Sequence, residues 1–153
     1  MARSLLYLGV TVERLTFMNT ELRDDCSHIL LAEDDNAMRE MLAFCLYRDG
    51  YRVTTCGDGL SLYRLLEAGA TDFDLVITDI RMPALTGTEV LEAISDLQHR
   101  PPVLCMTAFG DEATHRQACQ LGAIDLLDKP FDIDDFIDKV RRLCPPQRPA
   151  LAL

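Results

Sequence analysis

The chain has 153 residues, of which 48% are apolar, so it can bury the core of one domain but is short for two. Its formal net charge of −10 argues against a broadly basic surface of the kind that binds nucleic acid or anionic membranes without sequence preference. No stretch approaches the roughly 18 consecutive apolar residues that a membrane-spanning helix needs. From the net charge and the lack of such a stretch, we expect a cytoplasmic protein that neither binds nucleic acid directly nor enters a membrane.

Apolar runs alternate with amphipathic segments from residue 29 to residue 143. Apolar and β-branched runs predict five strands, at residues 29–32, 51–55, 73–79, 103–106 and 123–127. Apolar side chains at helical spacing, bounded by Gly, Pro and Asp, predict helices that include residues 38–46, 60–68, 90–97, 111–121 and 133–143. This order predicts one α/β domain, with a doubly wound parallel sheet of five strands and helices on both faces. The second strand is expected near an edge.

Two segments fall outside this alternation. Residues 1–27 begin with a short apolar stretch, but Glu13 and Arg14 follow it at once and no cleavage site comes after, so a secretory signal is disfavoured. We interpret them as an N-terminal extension that is either disordered or adds a strand, with a true start at Met18 as the alternative. Residues 145–153 form a Pro-rich tail, which would also suit a linker if the chain is the piece of a longer protein.

Six cysteines are spread along the chain without a C-x-x-C pair or a zinc-like spacing to histidine. Cys45 and Cys105 fall inside apolar periodic segments. We therefore predict that the cysteines are small buried hydrophobic residues in a reducing compartment.

Polar side chains occur where four of the predicted strands end. Glu33 and Asp34 follow the first strand, Asp79 closes the third, Thr107 ends the fourth and Lys129 follows the fifth. Carboxyl ends of parallel strands share one edge of a sheet, so Asp34 and Asp79 converge if the first and third strands are neighbours. Clustered carboxylates suit Mg²⁺, and a Lys and a Thr hydroxyl would bind an anion. Together they are the groups needed to move a phosphoryl group onto Asp79.

Each of these residues alone has a plain structural explanation. Acidic residues after a strand often cap the next helix, as Asp35 or Asn36 is expected to do, and a single Asp before a turn is ordinary turn chemistry. The functional interpretation depends on all of them occurring in order, each at a strand end.

The segments that carry these residues resemble the CheY-like receiver domain of two-component response regulators. The matching segments are residues 29–39, residues 74–83 with Gly87, residues 102–108 and residues 121–131. The resemblance spans about residues 28–144 and implies a flavodoxin-like (βα)5 fold with strand order 2-1-3-4-5. In that order the first and third strands are neighbours, as the strand-end chemistry requires.

The resemblance also implies a role for each acidic residue. Asp79 would accept a phosphoryl group from a sensor histidine kinase or a histidine phosphotransfer protein. Glu33, Asp34, Asp79 and the backbone carbonyl of Arg81 would hold Mg²⁺, with Glu33 acting through a water molecule.

The basic and hydroxyl groups have implied roles too. Lys129 would bind a phosphoryl oxygen, and its peptide bond to Pro130 would be cis. Thr107 would move onto the phosphoryl group and signal through the face formed by the fourth helix, the fifth strand and the fifth helix. The family usually has an aromatic residue where this chain has Leu126, and that residue acts as a switch coupled to the Thr. This chain departs from the family at that position. Phe109 would slow hydrolysis by limiting the access of water.

The resemblance favours a stand-alone phosphoaccepting receiver that is not an enzyme. Its downstream protein partner is unknown, and a phosphorylation-dependent homodimer stays open. One alternative is a degenerate receiver that binds proteins without phosphorylation. Another is a Mg²⁺-dependent phosphatase, which would need an acidic residue where Arg81 stands. A third is a receiver from a longer regulator, with a linker beginning at Pro145.

Overall fold

Strands and helices alternate along residues 26–108 and 112–147, the parts of the chain that the computed structural model describes. The strands are β1 His28–Ala32, β2 Arg52–Cys56, β3 Leu75–Asp79, β4 Val103–Ala108 and β5 Asp125–Lys129. The α-helices are α1 Asn36–Arg48, α2 Gly59–Gly69, α3 Gly87–Ala93, α4 Glu112–Gln120 and α5 Ile133–Leu143. A 3-10 turn at Ala70–Asp72 joins α2 to β3.

The five strands form one parallel sheet in the order β2-β1-β3-β4-β5. The predicted fold class and strand order are therefore confirmed, and β2 lies at an edge as its composition indicated. β1 and β3 are neighbours, with Leu31 opposite Ile77 in their register. Their carboxyl ends consequently lie side by side.

Alternate side chains of each strand enter two separate cores. Ile29, Leu31 and Ile77 pack with α1 and α5 on one face of the sheet. Leu30 and Val76 pack with α2, α3 and α4 on the other face. β1 and β3 are buried along their whole length, which is typical of parallel strands covered on both faces. We call the two faces the α1/α5 face and the α2/α3/α4 face.

Local signals at the start and end of α1 are those that the sequence indicated. The Asp35 carboxylate caps the helix by accepting a hydrogen bond from the Met38 N–H at 2.8 Å. The chain leaves the helix through Gly50, whose φ of 101° lies in the left-handed region that favours glycine. Arg39 of this helix donates to the Glu33 carbonyl at 2.7 Å and so ties α1 to the end of β1.

The predicted position of β5 was wrong by two residues. The strand occupies Asp125–Lys129 instead of residues 123–127, because its register with β4 pairs Leu104 with Asp125 and Ala108 with Lys129. β5 is an edge strand and is only half buried, so its apolar residues do not mark its limits. Lys129 is therefore the last residue of the strand. β4 likewise runs through Thr107 to its end at Ala108.

All six cysteines lie in the described residues and are free. Cys26, Cys105 and Cys144 are buried, and burial raises the pKa of the Cys105 thiol to about 12. The expectation of burial was wrong for Cys119, which is exposed on α4.

Within residues 26–108 and 112–147, no helix is long and apolar enough to cross a membrane. The prediction for Phe109 lies outside the described residues, as do most of the N-terminal extension (residues 1–25) and residues 148–153 of the tail.

Candidate functional site

Asp79 lies at the carboxyl end of β3 with both carboxylate oxygens in defined hydrogen bonds. Oδ2 accepts a hydrogen bond from Lys129 Nζ at 2.6 Å. Oδ1 accepts one from the Arg81 backbone N–H at 3.0 Å, so the turn after the strand holds the carboxylate in place. Asp79 is 7% exposed and so combines burial with access from the sheet edge.

Glu33 lies beside Asp79 and is 1% exposed. Its Oε2 accepts a hydrogen bond from Lys129 Nζ at 2.8 Å, and its Oε1 accepts one from the Asp35 N–H at 3.1 Å. One lysine therefore bridges two buried carboxylates that come from different strands. A buried carboxylate is costly without such partners.

Strand alternation explains why these three side chains meet. Glu33, Asp79 and Lys129 each come two residues after a buried side chain of the α1/α5 face. Those preceding residues are Leu31, Ile77 and Leu127, respectively. Because side chains two residues apart on a strand point the same way, all three polar groups emerge on one side of the sheet edge.

Asp34 completes an acidic cluster at this edge. Oxygen atoms of Glu33, Asp34 and Asp79 all lie within 4.8 Å of one another, and Asp34 is exposed. Carboxylate oxygens with an open side toward solvent are the donor set that Mg²⁺ takes, because this ion keeps several of its waters. The residues present therefore fit Mg²⁺. The Arg81 peptide lies against Asp79 through its N–H, and the role of its carbonyl as a ligand stays a prediction.

The electrostatics of the cluster also favour a cation. Burial raises the pKa of the Glu33 carboxyl, and the charge of Asp79 acts in the same direction, while hydrogen bonds from Lys129 and Asp35 partly offset them. Burial acts to lower the pKa of Lys129, but its hydrogen bonds to Asp79 and Glu33 outweigh this, and the pKa is raised. One ammonium group thus faces three carboxylates, and a divalent cation would relieve their repulsion.

The structure places Thr107 differently from the other predicted site residues. Its hydroxyl donates to Asp128 Oδ1 at 2.8 Å and lies 2.9 Å from His115 Nε2. The residue opposite Asp79 in the β3–β4 register is Met106, and Thr107 follows Cys105 by two positions on the α2/α3/α4 face. Alternation therefore directs its side chain toward α4.

Sequence reasoning did not single out His115 or Asp128. Asp128 could have been found, because it directly precedes Lys129 on β5 and faces Thr107 across the β4–β5 pair. His115 carried no such signal, since α4 is a polar helix in which only Ala118 is buried. The cis peptide bond between Lys129 and Pro130 is present as predicted.

Comparison with known proteins decides the family. The sequence profile of the response regulator receiver domain matches residues 29–141. The chain belongs to the response regulator receiver family. This receiver is 39% identical over 107 residues to the transcriptional regulatory protein FixJ of Bradyrhizobium diazoefficiens, a match that covers 70% of this chain and 51% of FixJ. The chain thus spans about half the length of that relative.

Two further comparisons match nearly whole proteins. The response regulator receiver protein CpdR of Brucella abortus is 32% identical over 115 residues, covering 75% of this chain and 94% of CpdR. The crystal structure of the chemotaxis protein CheY4 of Vibrio cholerae superposes with a TM-score of 0.70 at 26% identity, covering 76% of this chain and 98% of CheY4. Both agree with the receiver fold described above.

Proposed function

We propose that this receiver accepts a phosphoryl group from a phosphohistidine onto Asp79 and acts as a switch in a two-component phosphorelay. The observation that carries the proposal is the double hydrogen bond of Lys129 to Asp79 and Glu33, with the Asp34 carboxylate alongside. The donor would be a sensor histidine kinase or a histidine phosphotransfer protein.

The chemistry requires a nucleophile and a means of neutralising charge. A carboxylate oxygen of Asp79 attacks phosphorus, the O–P bond forms, and the P–N bond of the phosphohistidine breaks with its electron pair left on the imidazole nitrogen. Lys129 is placed to follow the charge from the carboxylate onto a phosphoryl oxygen. Glu33, Asp34, Asp79 and the Arg81 carbonyl would hold Mg²⁺. When bound, this ion supplies positive charge to the phosphoryl oxygens.

We propose that the signal leaves through the face formed by α4, β5 and α5, toward a protein partner in the cytoplasm. FixJ is described as a transcriptional regulatory protein, and this chain corresponds to about half of it. We propose that the receiver itself works through protein contacts, a homodimer included, and makes no direct contact with nucleic acid. The net charge of −10 supports this division.

A second candidate function is a degenerate receiver that binds a partner without being phosphorylated. The observation in its favour is Leu126 on β5, at the position where the family usually carries an aromatic residue. Turnover of an external phosphoester is the least favoured candidate, because Arg81 stands where such an enzyme would need an acid or base.

Intact-mass measurement after incubation with Mg²⁺ and acetyl phosphate separates these candidates. We expect the full chain to gain one phosphoryl group, Asp79→Ala to gain none, and Asp96→Ala, which removes an exposed carboxylate after α3, to behave as the wild type. No gain in the wild type would favour the degenerate receiver. Catalytic release of phosphate from an unrelated phosphoester would favour the enzyme.

A further inference from the structure

Three polar side chains meet beside the phosphoacceptor site, and two of them, His115 and Asp128, have no role in the proposed transfer. Thr107 Oγ1, Asp128 Oδ1 and His115 Nε2 are separated by 2.8, 2.9 and 2.7 Å in the three pairs. Thr107 is 2% exposed, whereas the side chains of His115 and Asp128 are 27% and 47% exposed. The cluster therefore joins a buried hydroxyl to the outer surface of α4 and β5.

The number of hydrogens fixes how the cluster is bonded. A carboxylate offers acceptors only, so the single hydroxyl hydrogen of Thr107 goes to Asp128. The 2.7 Å separation between His115 Nε2 and Asp128 Oδ1 also needs a hydrogen, so Nε2 carries one and points it at the carboxylate and the threonine oxygen. The hydroxyl hydrogen of Thr107 is thus committed, and it can serve another acceptor only after leaving Asp128.

The position of the cluster couples it to the site. Asp128 is opposite Thr107 in the β4–β5 register and directly precedes Lys129, whose ammonium group bridges Asp79 and Glu33. His115 adds α4 to this pair through a side chain that reaches back to the sheet. A change at Thr107 is therefore transmitted to both α4 and β5, without any aromatic side chain on β5.

We propose that His115 and Asp128 are positioning residues that hold the Thr107 hydroxyl away from Asp79 until a phosphoryl group competes for it, an inference that rests on the proposed function. A phosphoryl oxygen on Asp79 accepts the hydroxyl hydrogen, the Thr107–Asp128 hydrogen bond breaks, and His115 and Asp128 remain paired only to each other. This hydrogen-bond exchange alters the surface formed by α4 and β5. It takes the place of the aromatic switch that Leu126 cannot provide.

The first test uses the full chain and NMR signals of the His115 imidazole and the Thr107 side chain. After addition of Mg²⁺ and acetyl phosphate, we expect both sets of signals to shift in the wild type as phosphoryl mass appears. A wild type that gains the phosphoryl group with both sets unchanged would overturn the positioning role and leave the proposed function standing. A wild type that gains no phosphoryl group would overturn the proposed function itself.

The second test measures the rate of phosphoryl gain. The Thr107 hydroxyl must leave these partners to stabilise the phosphoryl oxygens in the transition state of transfer. One hydrogen bond contributes roughly a fivefold factor, so His115→Leu and Asp128→Leu should speed phosphorylation by up to about fivefold. His115→Gln keeps an N–H donor of similar reach and should stay within about twofold of the wild type. His99→Leu makes the same chemical change at an exposed position and should have no effect.

Rates in His115→Leu and Asp128→Leu that equal the wild-type rate or fall below it would contradict the proposal. Circular dichroism of each variant checks that the fold is retained. If either Leu variant fails to fold, Asp128→Asn replaces it, because the amide oxygen still accepts a hydrogen bond but without the charge, and its rate should lie between those of the wild type and of His115→Leu.

Discussion

The acidic cluster contains two buried carboxylates and one exposed carboxylate. Glu33 and Asp79 are buried and both bind Lys129, so replacing either one would remove one of the two carboxylates that pair with its ammonium group. Asp34 is exposed and lies within 4.8 Å of both. It is therefore the residue through which metal binding can be tested without disturbing the fold.

We predict that Asp34→Asn lowers the affinity for Mg²⁺ by about tenfold or more while the free energy of unfolding changes by less than about 0.5 kcal/mol. Calorimetric titration with Mg²⁺ measures the first quantity and urea unfolding the second. Asp35→Asn is the matched control, since Asn also caps a helix and Asp35 is not part of the three-carboxylate cluster. Equal losses of affinity in the two variants would contradict the assignment of Asp34.

A second titratable residue lies at the opposite end of β1. His28 is buried, with Nδ1 2.9 Å from the Asp72 carbonyl and Nε2 2.8 Å from Thr54 Oγ1. Burial lowers its pKa below the ordinary 6.5 and the charge of Arg52 adds to this, although Asp72 and Asp74 oppose both. The folded protein consequently binds a proton at His28 less readily than the unfolded chain does.

This difference predicts a loss of stability in mild acid. The contribution of neutral His28 is fully present above pH 6.5 and is lost as the pH falls from there through the lower pKa of the folded state. Urea unfolding at about pH 7.5 and about pH 5.5 should therefore show a steeper loss for the wild type than for His28→Gln, which has no titrating ring. Parallel losses in the two proteins would show that other groups cause the effect.

At the scale of elements, α3 is held unusually close to the end of β3. The Gly87 N–H donates to the Ile80 carbonyl at 2.7 Å. A Cβ atom at this position would lie 2.6 Å from the Asp79 carbonyl oxygen and 2.9 Å from Ile80 Cα. Both contacts are backbone and cannot rotate away, so glycine is required for the approach.

We expect Gly87→Ala to lower the free energy of unfolding by about 1–3 kcal/mol and to slow phosphoryl gain at Asp79, because α3 must move away from the strand. Gly69→Ala is the control: its Cβ would meet the exposed Asp72 carboxylate, which can turn aside, so the change should be within about 0.5 kcal/mol. Urea unfolding and intact-mass kinetics measure the two effects. A Gly87→Ala protein as stable as the Gly69→Ala protein would refute the close-approach argument.

Elements differed in how well the sequence predicted them, for physical reasons. β1 and β3 are buried on both faces, so unbroken apolar runs marked them and placed Glu33 and Asp79 correctly at one edge. β5 is a half-buried edge strand whose limits depend on pairing with β4, and its prediction was two residues early. Thr107 was expected to move onto the phosphoryl group, which stays a prediction; strand alternation, which needs the true register, directs its side chain toward α4 in this structure.

At the scale of the whole molecule, the predicted site residues divide between the two faces of the sheet. Glu33, Asp79 and Lys129 all follow side chains of the α1/α5 core, whereas Thr107 follows the α2/α3/α4 core. In the proposed function, phosphoryl chemistry on one side would be transmitted to the other through β4 and β5, which pair along their length. The parallel sheet was predictable from the alternation of strands and helices, and its strand order from the resemblance to receiver domains. The division between faces required the observed register.

We propose that Asp79, among the clustered carboxylates, receives the phosphoryl group. Borohydride reduces an aspartyl phosphate to homoserine, which marks the modified position in the chain. After treatment of the full chain with Mg²⁺ and acetyl phosphate, reduction and peptide mass mapping should place homoserine at position 79. Homoserine at Asp34 or at another carboxylate, or none at all, would contradict the account.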